Sequence, residues 1–481
     1  MRQTRRRVPV QRYSPPSSPL RKRRRASAAS DVSSYQSPPS QSAAVQSSSS
    51  PSPSLTVSAA DNANKSNTTF SLEQVQILRQ RLLDWYVDNH RELPWRAPPR
   101  HQKNGKAPKP MQNMDCPSSP GAPYAVWISE VMSQQTRLSV VVQYYKRWMQ
   151  ELPSVKHLAE APLERVYELW AGLGYYRRAR FAHEAAKQIV DQHDGRIPGD
   201  VNSLLKLCGI GRYTAGAVSS IAFGHAVAAV DGNVERVLSR LRSGLSQNCA
   251  PGKERSRAYW EVASACVEDI ENAGDLNQAL MEVGASVCKP KGAQCEKCPL
   301  TALCDAYQEA QRAKVEASSY VSRYPMKDKT KRIKVRSETV IALVVFVQRG
   351  GRREVLLRRR EGDGLLGGLW ETPNRVVDWD LDDCGDEAFR EVLREVDGVA
   401  GVCCGENGEY SDLNLVDAGQ VRHVFSHIRQ RLVVKALKVE VTKDEAGRRG
   451  DGYRWVSETE VEKCAISKQM RKVVDAALKK A

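Results

Sequence analysis

The sequence predicts an α+β multidomain chain: an all-α body, then a smaller α/β domain, with a tail in front that lacks the material for a core. Three observations carry this. Apolar residues recur at helical spacing from Ser71 to about residue 310, the pattern turns to β-rich strands after a basic stretch near residue 330, and the first 65 residues are dominated by Ser, Pro, Gln and Ala. The 481 residues suffice for about three units at roughly 150 residues each, and 41% apolar content is ample for packed cores. The longest apolar run, 340–347, falls far short of the roughly 20 residues that cross a bilayer, so no membrane association is expected.

Residues 1–65 read as a disordered tail; Phe70 is the first Phe and Trp85 the first Trp. Within the tail, Arg21, Lys22, Arg23, Arg24 and Arg25 form a compact basic cluster suited to nuclear import, against the plainer reading of a solvated charge run. Arg5, Arg6 and Arg7 also suit a mitochondrial presequence, a secondary reading because the many prolines spoil an amphipathic helix. The helical body spans 66–310, opening with Leu72, Val75, Leu78, Leu82 and Trp85 at helical spacing, and 97–123, rich in Pro and Lys, reads as a surface insertion. A basic linker is expected over 311–336 and the α/β domain over 337–481, with strands at 340–347, 354–358 and 432–439, a helix at 387–396 and a terminal helix from Lys468.

Charge narrows the partner. Lys and Arg number 73 against 56 Asp and Glu, a net +17; ten basic residues and one acid lie in residues 1–60, so the tail carries more than half of the excess and the rest stays positive. A polyanion such as nucleic acid is favoured. Twelve cysteines in this length are too few for a secreted disulfide scaffold, and a reducing compartment is expected.

Three motifs carry chemistry. Cys288, Cys295, Cys298 and Cys304 put four thiols within seventeen residues, enough to enclose one metal centre; the spacing alone leaves iron-sulfur and zinc both open. Leu207-Cys208-Gly209-Ile210-Gly211-Arg212-Tyr213 sets a tight Gly-x-Gly turn before a helix, where backbone amides can face a phosphate, although such a turn alone is often only a turn. Val230-Asp231-Gly232-Asn233-Val234 puts an acid at a helix start, which by itself reads as a cap. Glu130 has Val126 and Trp127 on its helical face; in isolation it reads as a solvated acid, but if buried it would stay protonated near neutrality while Asp231 beside backbone donors stayed ionised. Two carboxyls in opposed environments point to an acid and a stabiliser.

These motifs occur in one order with Pro94-Trp95-Arg96, the 127–136 segment containing Ser129-Glu130-Val131-Met132 and Gln134-Gln135-Thr136, and Gly172-Leu173-Gly174-Tyr175-Tyr176. Together they resemble MutY-type adenine DNA glycosylases over roughly residues 71–480, with the look of a eukaryotic member. The resemblance implies a helix-hairpin-helix glycosylase domain with an iron-sulfur loop, followed by a MutT/Nudix-like α/β domain. It implies a 4Fe-4S cluster on Cys288, Cys295, Cys298 and Cys304. The implied substrate is double-stranded DNA carrying adenine opposite 8-oxoguanine or guanine, bound by a monomer that repair and replication proteins would recruit. Glu130 and Asp231 would be catalytic, with Tyr213 and Asn233 assisting. Arg91, Trp95 and Arg96 would line the base pocket, and Gln135, Thr136, Leu173, Tyr175, Gly209 and Gly211 would meet DNA, with Tyr175 as the main wedge. Phe425, Ser426 and His427 would read 8-oxoguanine, although strand alternation alone would put the Phe in a core.

Tyr213 separates relatives. Endonuclease III-type enzymes carry a lysine there that forms a Schiff base with the sugar, which a phenol cannot do, so base removal without efficient strand cleavage is expected. The alternatives are such a bifunctional pyrimidine-lesion glycosylase, or a damage-binding protein without catalysis. Arg394 stands where a Nudix signature wants an acid, so magnesium-dependent nucleotide hydrolysis is not expected. Cys208 in place of the usual proline, Ser133 in place of a leucine, and the 97–123 insertion depart from the family pattern.

Overall fold

The computed structural model describes residues 68–101, 117–326, 335–361, 366–377, 385–400, 414–425, 427–439 and 452–481, all within one compact unit, Val57–Ala481. Ser71 opens the first helix with a capping box: its hydroxyl accepts from the Gln74 amide while the Gln74 side chain accepts from the Ser71 amide. This α1, Leu72–Asn89, buries Val75, Leu78, Leu82, Leu83 and Tyr86. Leu72, in the first turn, stays 84% exposed and so drops out of the expected stripe.

A first lobe follows: α2 Pro123–Ser133, α3 Leu138–Glu151, α4 Val155–Glu160, α5 Leu163–Trp170, α6 Arg177–His193, α7 Val201–Leu204 and α8 Arg212–Phe223. Its core holds Trp127, Trp148, Trp170, Ile128, Met132 and Val218. The chain then returns to α1 and builds a second lobe with α9 Gly232–Leu241, α10 Gly244–Gln247, α11 Lys253–Val267 and α12 Ala273–Ser286, packed through Leu78, Leu82, Val234, Leu238, Leu276 and Leu280. The ends of the inserted segment are pinned to this body. The Arg100 and His101 amides donate to Asp275 Oδ2 at 2.6 and 3.0 Å, and the Gly121 amide donates to the Trp95 carbonyl at 2.9 Å.

The expected linker starts later than 311. Helix α13 reaches from Asp305 to Arg312, α14 spans Ala317–Val321, and Val321 and Tyr324 are buried with Ala293 and Ala306 beside the cysteine loop. Apolar residues in a nominally polar stretch explain the shift: the helical body extends to 326, and the basic residues 327–334 lie outside the described residues.

The C-terminal domain is a seven-stranded mixed sheet of β1 Arg336–Arg349, β2 Arg352–Arg359, β3 Trp370–Glu371, β4 Asn374–Val377, β5 Leu415–Val424, β6 Ile428–Lys438 and β7 Tyr453–Ser457. Strand order is β3-β2-β1-β6-β5, with β1 and β6 parallel and aligned from Arg336 opposite Ile428. Helix α15, Asp386–Ala400, packs Phe389, Val392 and Leu393 on the Ile341, Leu343 and Val345 face; on the other face, Val340, Ala342 and Val344 meet Val473, Val474 and Ala477 of α17, Lys468–Leu478. The short α16, Glu458–Val461, leads from β7 into it. The unbroken apolar run 340–347 therefore marks a strand buried on both faces. Arg375 pairs with Glu391 at 2.8 Å and with Glu395, and Arg394 pairs with Glu387 at 2.8 Å, so arginines occupy these acids of the Nudix-like helix.

The helical body and the sheet meet at Glu164 on α5, whose Oε1 accepts from Trp370 Nε1 and from Arg454, both at 2.8 Å. Beside this seam is a cavity of about 370 Å³ lined by Tyr167, Arg180, Arg359, Arg360 and Gly368. No helix among the described residues is long and apolar enough to cross a membrane.

One close approach sets where the second lobe begins. A Cβ on Gly216 of α8 would lie 2.1 Å from the Ala228 carbonyl oxygen, so only glycine lets α8 press against the segment that leads to Asp231. Gly216→Ala is expected to destabilise the protein by about 1–3 kcal/mol through overpacking. A urea midpoint unchanged from the parent chain would contradict this close approach.

Candidate active site

Glu130 and Asp231 arrive from different lobes. Helix α2 carries Glu130 near its C-terminal end, between the buried Ser129 and Val131, so the carboxyl emerges from an apolar surface. Asp231 is the N-cap of α9: Oδ1 accepts from the amides of Asn233 (2.9 Å) and Val234 (2.8 Å), and Oδ2 accepts from Asn233 Nδ2 at 2.7 Å. The plain reading as a cap is thus correct, and the carboxylate is held rigidly by being one. Tyr213, in the first turn of α8, donates its hydroxyl to Glu130 Oε2 at 2.5 Å and lies 3.7 Å from Met281 Sδ.

Desolvation dominates the acid. Burial raises the Glu130 carboxyl to about 7; the Tyr213 hydrogen bond opposes this, the nearby Asp231 charge adds to it, and Arg96 opposes it again. Burial, the two carboxylates and the hydrogen bond it makes to Glu130 push the Tyr213 phenol well above its ordinary value, so it stays a neutral donor. Glu130, Tyr213 and Asp231 act on one another electrostatically, and each keeps part of its surface open.

Of the residues expected at the base pocket, Arg91 and Arg96 converge on Glu282 of α12: Arg91 Nε donates to Oε1 and Arg96 Nη1 donates to Oε2 at 2.9 Å, with Glu282 1% exposed. Trp95 is buried at 7% exposure and lies edge-on to Tyr145 with ring centroids 5.0 Å apart. Gln135 and Tyr175 are both exposed, Tyr175 at 54%, and both adopt left-handed backbone with φ of 54° and 50°. Thr136 is half-buried and donates to the Gln134 carbonyl at 3.2 Å. Leu173, also expected to meet DNA, packs into the core at 7% exposure between Gly172 and Gly174, both of positive φ, while Tyr175 points out.

Gly209 has φ 72° and Gly211 caps α8. The turn tolerates Cys208 because its amide donates to Gln188 Oε1 at 2.7 Å, a bond a proline could not make. Phe425 is half-buried and edge-on to His423 at 4.5 Å, at the β5–β6 connection, and His427 is exposed. Ser426 lies outside the described residues.

The four cysteines line one small cavity of about 20 Å³, together with Arg240 and Tyr307. Arg240, 1% exposed, donates to Cys288 Sγ at 3.2 Å and to the Lys289 carbonyl at 2.9 Å. Burial pushes the thiols of Cys295, Cys298 (to about 12) and Cys304 upward. Four soft sulfur donors around one cavity, three of them costly to ionise unless something cationic binds them, fit an iron-sulfur group chemically. Among the described residues, no three His, Cys, Asp or Glu side chains form a ready site for a single ion.

Sequence reasoning missed Glu282 and Arg236. Glu282 is a lone acid in the otherwise apolar stretch 279–285, a signal that could have marked it. Arg236 donates to Asn233 Oδ1 (2.8 Å), the Gly284 carbonyl (2.7 Å) and the Cys288 carbonyl (2.9 Å), tying the Asp231 cap to the cysteine loop. Nothing in its helical pattern announces that role.

Comparison with known proteins accords with this arrangement. Residues 128–263 match the HhH-GPD superfamily of base excision DNA repair proteins, and residues 343–476 match the NUDIX domain. The adenine DNA glycosylase of Mus musculus is 35% identical over 431 residues, 83% of this chain and 77% of that protein. The chain belongs to the adenine DNA glycosylases. The Homo sapiens adenine DNA glycosylase is 34% identical over 432 residues, 83% of this chain and 74% of its own length. The Arabidopsis thaliana protein of that name is 37% identical over 410 residues, 78% of this chain, which spans 59% of that relative. Glu130 and Asp231 both fall inside the first matched segment, and the sheet of this glycosylase lies largely in the second.

A raised carboxyl lowers stability at neutral pH. Glu130 binds its proton more tightly folded than unfolded, so between its unfolded value near 4.5 and about 7 the native state holds the extra proton and stability falls as pH rises. Glu130→Gln is therefore expected to stabilise the protein at pH 8 by on the order of 1–3 kcal/mol, and much less at pH 4. Urea titrations at both values check this; an equal gain at the two would show that Glu130 titrates normally.

Proposed function

We propose that this chain excises adenine mispaired with 8-oxoguanine or guanine from double-stranded DNA, breaking the N-glycosidic bond without efficient strand cleavage. The single observation that carries the reading is a carboxyl raised to about 7, hydrogen-bonded by Tyr213, beside a second carboxyl held rigidly as a helix cap. Adenine leaves poorly until protonated. Glu130 delivers its proton to the base N7 as the C1′–N9 bond lengthens, and the bonding pair departs with the neutral purine. The sugar becomes an oxocarbenium ion, which Asp231 stabilises; Glu130, now ionised, takes a proton from water as the oxygen attacks C1′. Asn233 holds Asp231 by its side-chain amide, and Tyr213 offers a phenol where Schiff-base chemistry needs an amine.

The reacting carbon is inaccessible in a duplex, so the nucleotide is extruded and the gap filled, a task that suits the exposed Tyr175 and Gln135. Arg91 and Arg96, clamped on Glu282, would bound the base. Phe425, Ser426 and His427 would read 8-oxoguanine on the opposite strand. Cys288, Cys295, Cys298 and Cys304 would hold a 4Fe-4S cluster. The four sulfurs line one cavity, and the family resemblance favours a cluster there over a single tetrahedral zinc. When bound, it would cross-link the loop through four iron-sulfur bonds and offer a redox centre. The basic cluster at 21–25 would direct the chain to the nucleus, with a mitochondrial address as the second reading, and repair and replication proteins would recruit it as a monomer.

Single-turnover excision on duplexes with adenine opposite 8-oxoguanine tests the reading. Glu130→Gln and Asp231→Asn should each slow it by about 10²–10⁴-fold, and the parent rate should fall as pH rises through about 7, where Glu130 loses its proton. Full activity in both variants would remove the catalytic assignment. Binding to the same duplex should weaken linearly in a log-log plot against salt as phosphate contacts release counterions; a flat titration would argue against DNA as the partner.

A further inference from the structure

The two turns that bear Gln135 and Tyr175 share one cation. Arg178, on α6, donates from Nη1 to the carbonyls of Val131 (2.8 Å), Met132 (2.9 Å) and Gln134 (2.7 Å), the frayed C-terminal end of α2. From Nη2 it donates to Thr136 Oγ1 (3.3 Å) and to the Gly174 carbonyl (3.1 Å). Its guanidinium carbon lies 5.2 Å from the Trp170 ring and 5.6 Å from the Tyr175 ring. Burial lowers its pKa to about 10, with Tyr175 the one group opposing that, and Nε is buried without a partner. The charge is thus balanced by helix-end carbonyl dipoles and ring faces.

Gln135 and Tyr175 both hold the left-handed conformation without being glycine. Such backbone persists where surrounding contacts impose it. Arg178 supplies those contacts to both turns at once, and only a planar fork can reach four carbonyls and a hydroxyl while lying near two rings.

We propose that Arg178 is a positioning residue for base extrusion, fixing the 134–136 turn and the 174–175 turn as one rigid unit so that Gln135 and Tyr175 enter the duplex together. The inference rests on the adenine-excision reading above. The charges that shift Glu130 are those of Asp231 and Arg96, so loss of the Arg178 charge is expected to leave the protonation of Glu130 where it was and to act on extrusion.

The test compares single-turnover excision by the full chain, at saturating protein, on adenine paired opposite 8-oxoguanine and on adenine opposite an abasic site, where no pair has to be broken. Relative to the parent, Arg178→Met should slow the paired substrate about tenfold to a hundredfold and the unpaired one at least severalfold less, with the pH at which the rate falls unmoved. Arg178→Lys, which keeps the charge and some donors, should fall between. Equal slowing on both substrates, no slowing on either, or a displaced pH limb overturns the proposal. If Arg178→Met does not fold by circular dichroism, the ratio measured with Arg178→Lys decides. A parent chain that excises adenine from neither duplex overturns the excision reading and this inference with it.

Discussion

The chemistry depends on the desolvation of a single side chain. Glu130 sits near the end of a helix whose neighbouring residues are almost all buried, so its charged form loses water that nothing fully replaces. The Tyr213 hydrogen bond and the Arg96 charge favour ionisation, but burial outweighs them. Asp231 adds to the shift, since a second negative charge nearby is unfavourable. The same neighbour that would steady a positive sugar therefore also helps the acid keep its proton until a base arrives to take it.

Around this pair, arginines hold together the parts that apolar packing cannot. Arg240 and Arg236 fasten the cysteine loop, and Arg236 reaches on to Asn233. Arg91 and Arg96 meet on a buried glutamate, and Arg178 joins two exposed turns. Loops offer backbone carbonyls and few side chains that can be buried. A fork of five donors satisfies several such carbonyls at once, which explains why so much of the site's rigidity lies in guanidinium groups.

The domain order, the helical periodicity and the strands at 354–358 and 432–439 were legible because period and composition change where the fold changes. The linker boundary was less so. Val321 and Tyr324 are too few to make a pattern, and they count as core only because the cysteine loop packs on them. Leu173 and Trp95 show the same limit at the site. Each stands in a motif with neighbours that face out, and the turn geometry or a neighbouring helix sends it inward.

By itself the chain sequence determined which residue types are available and in what order: two carboxyls on helical segments, a phenol after a Gly-x-Gly turn, and four thiols close enough along the chain to surround one centre. Those are local properties, set by spacing and by the backbone each residue can adopt. Tertiary structure decided that Glu130 is the raised acid, that Glu282 gathers Arg91 and Arg96, that Arg236 bonds Asn233 and Arg178 the Gln134 carbonyl, and that Trp95 and Leu173 are buried. Desolvation and hydrogen-bond partnership depend on what the rest of the molecule brings within a few ångströms, often from a hundred residues away, and no local pattern contains that information.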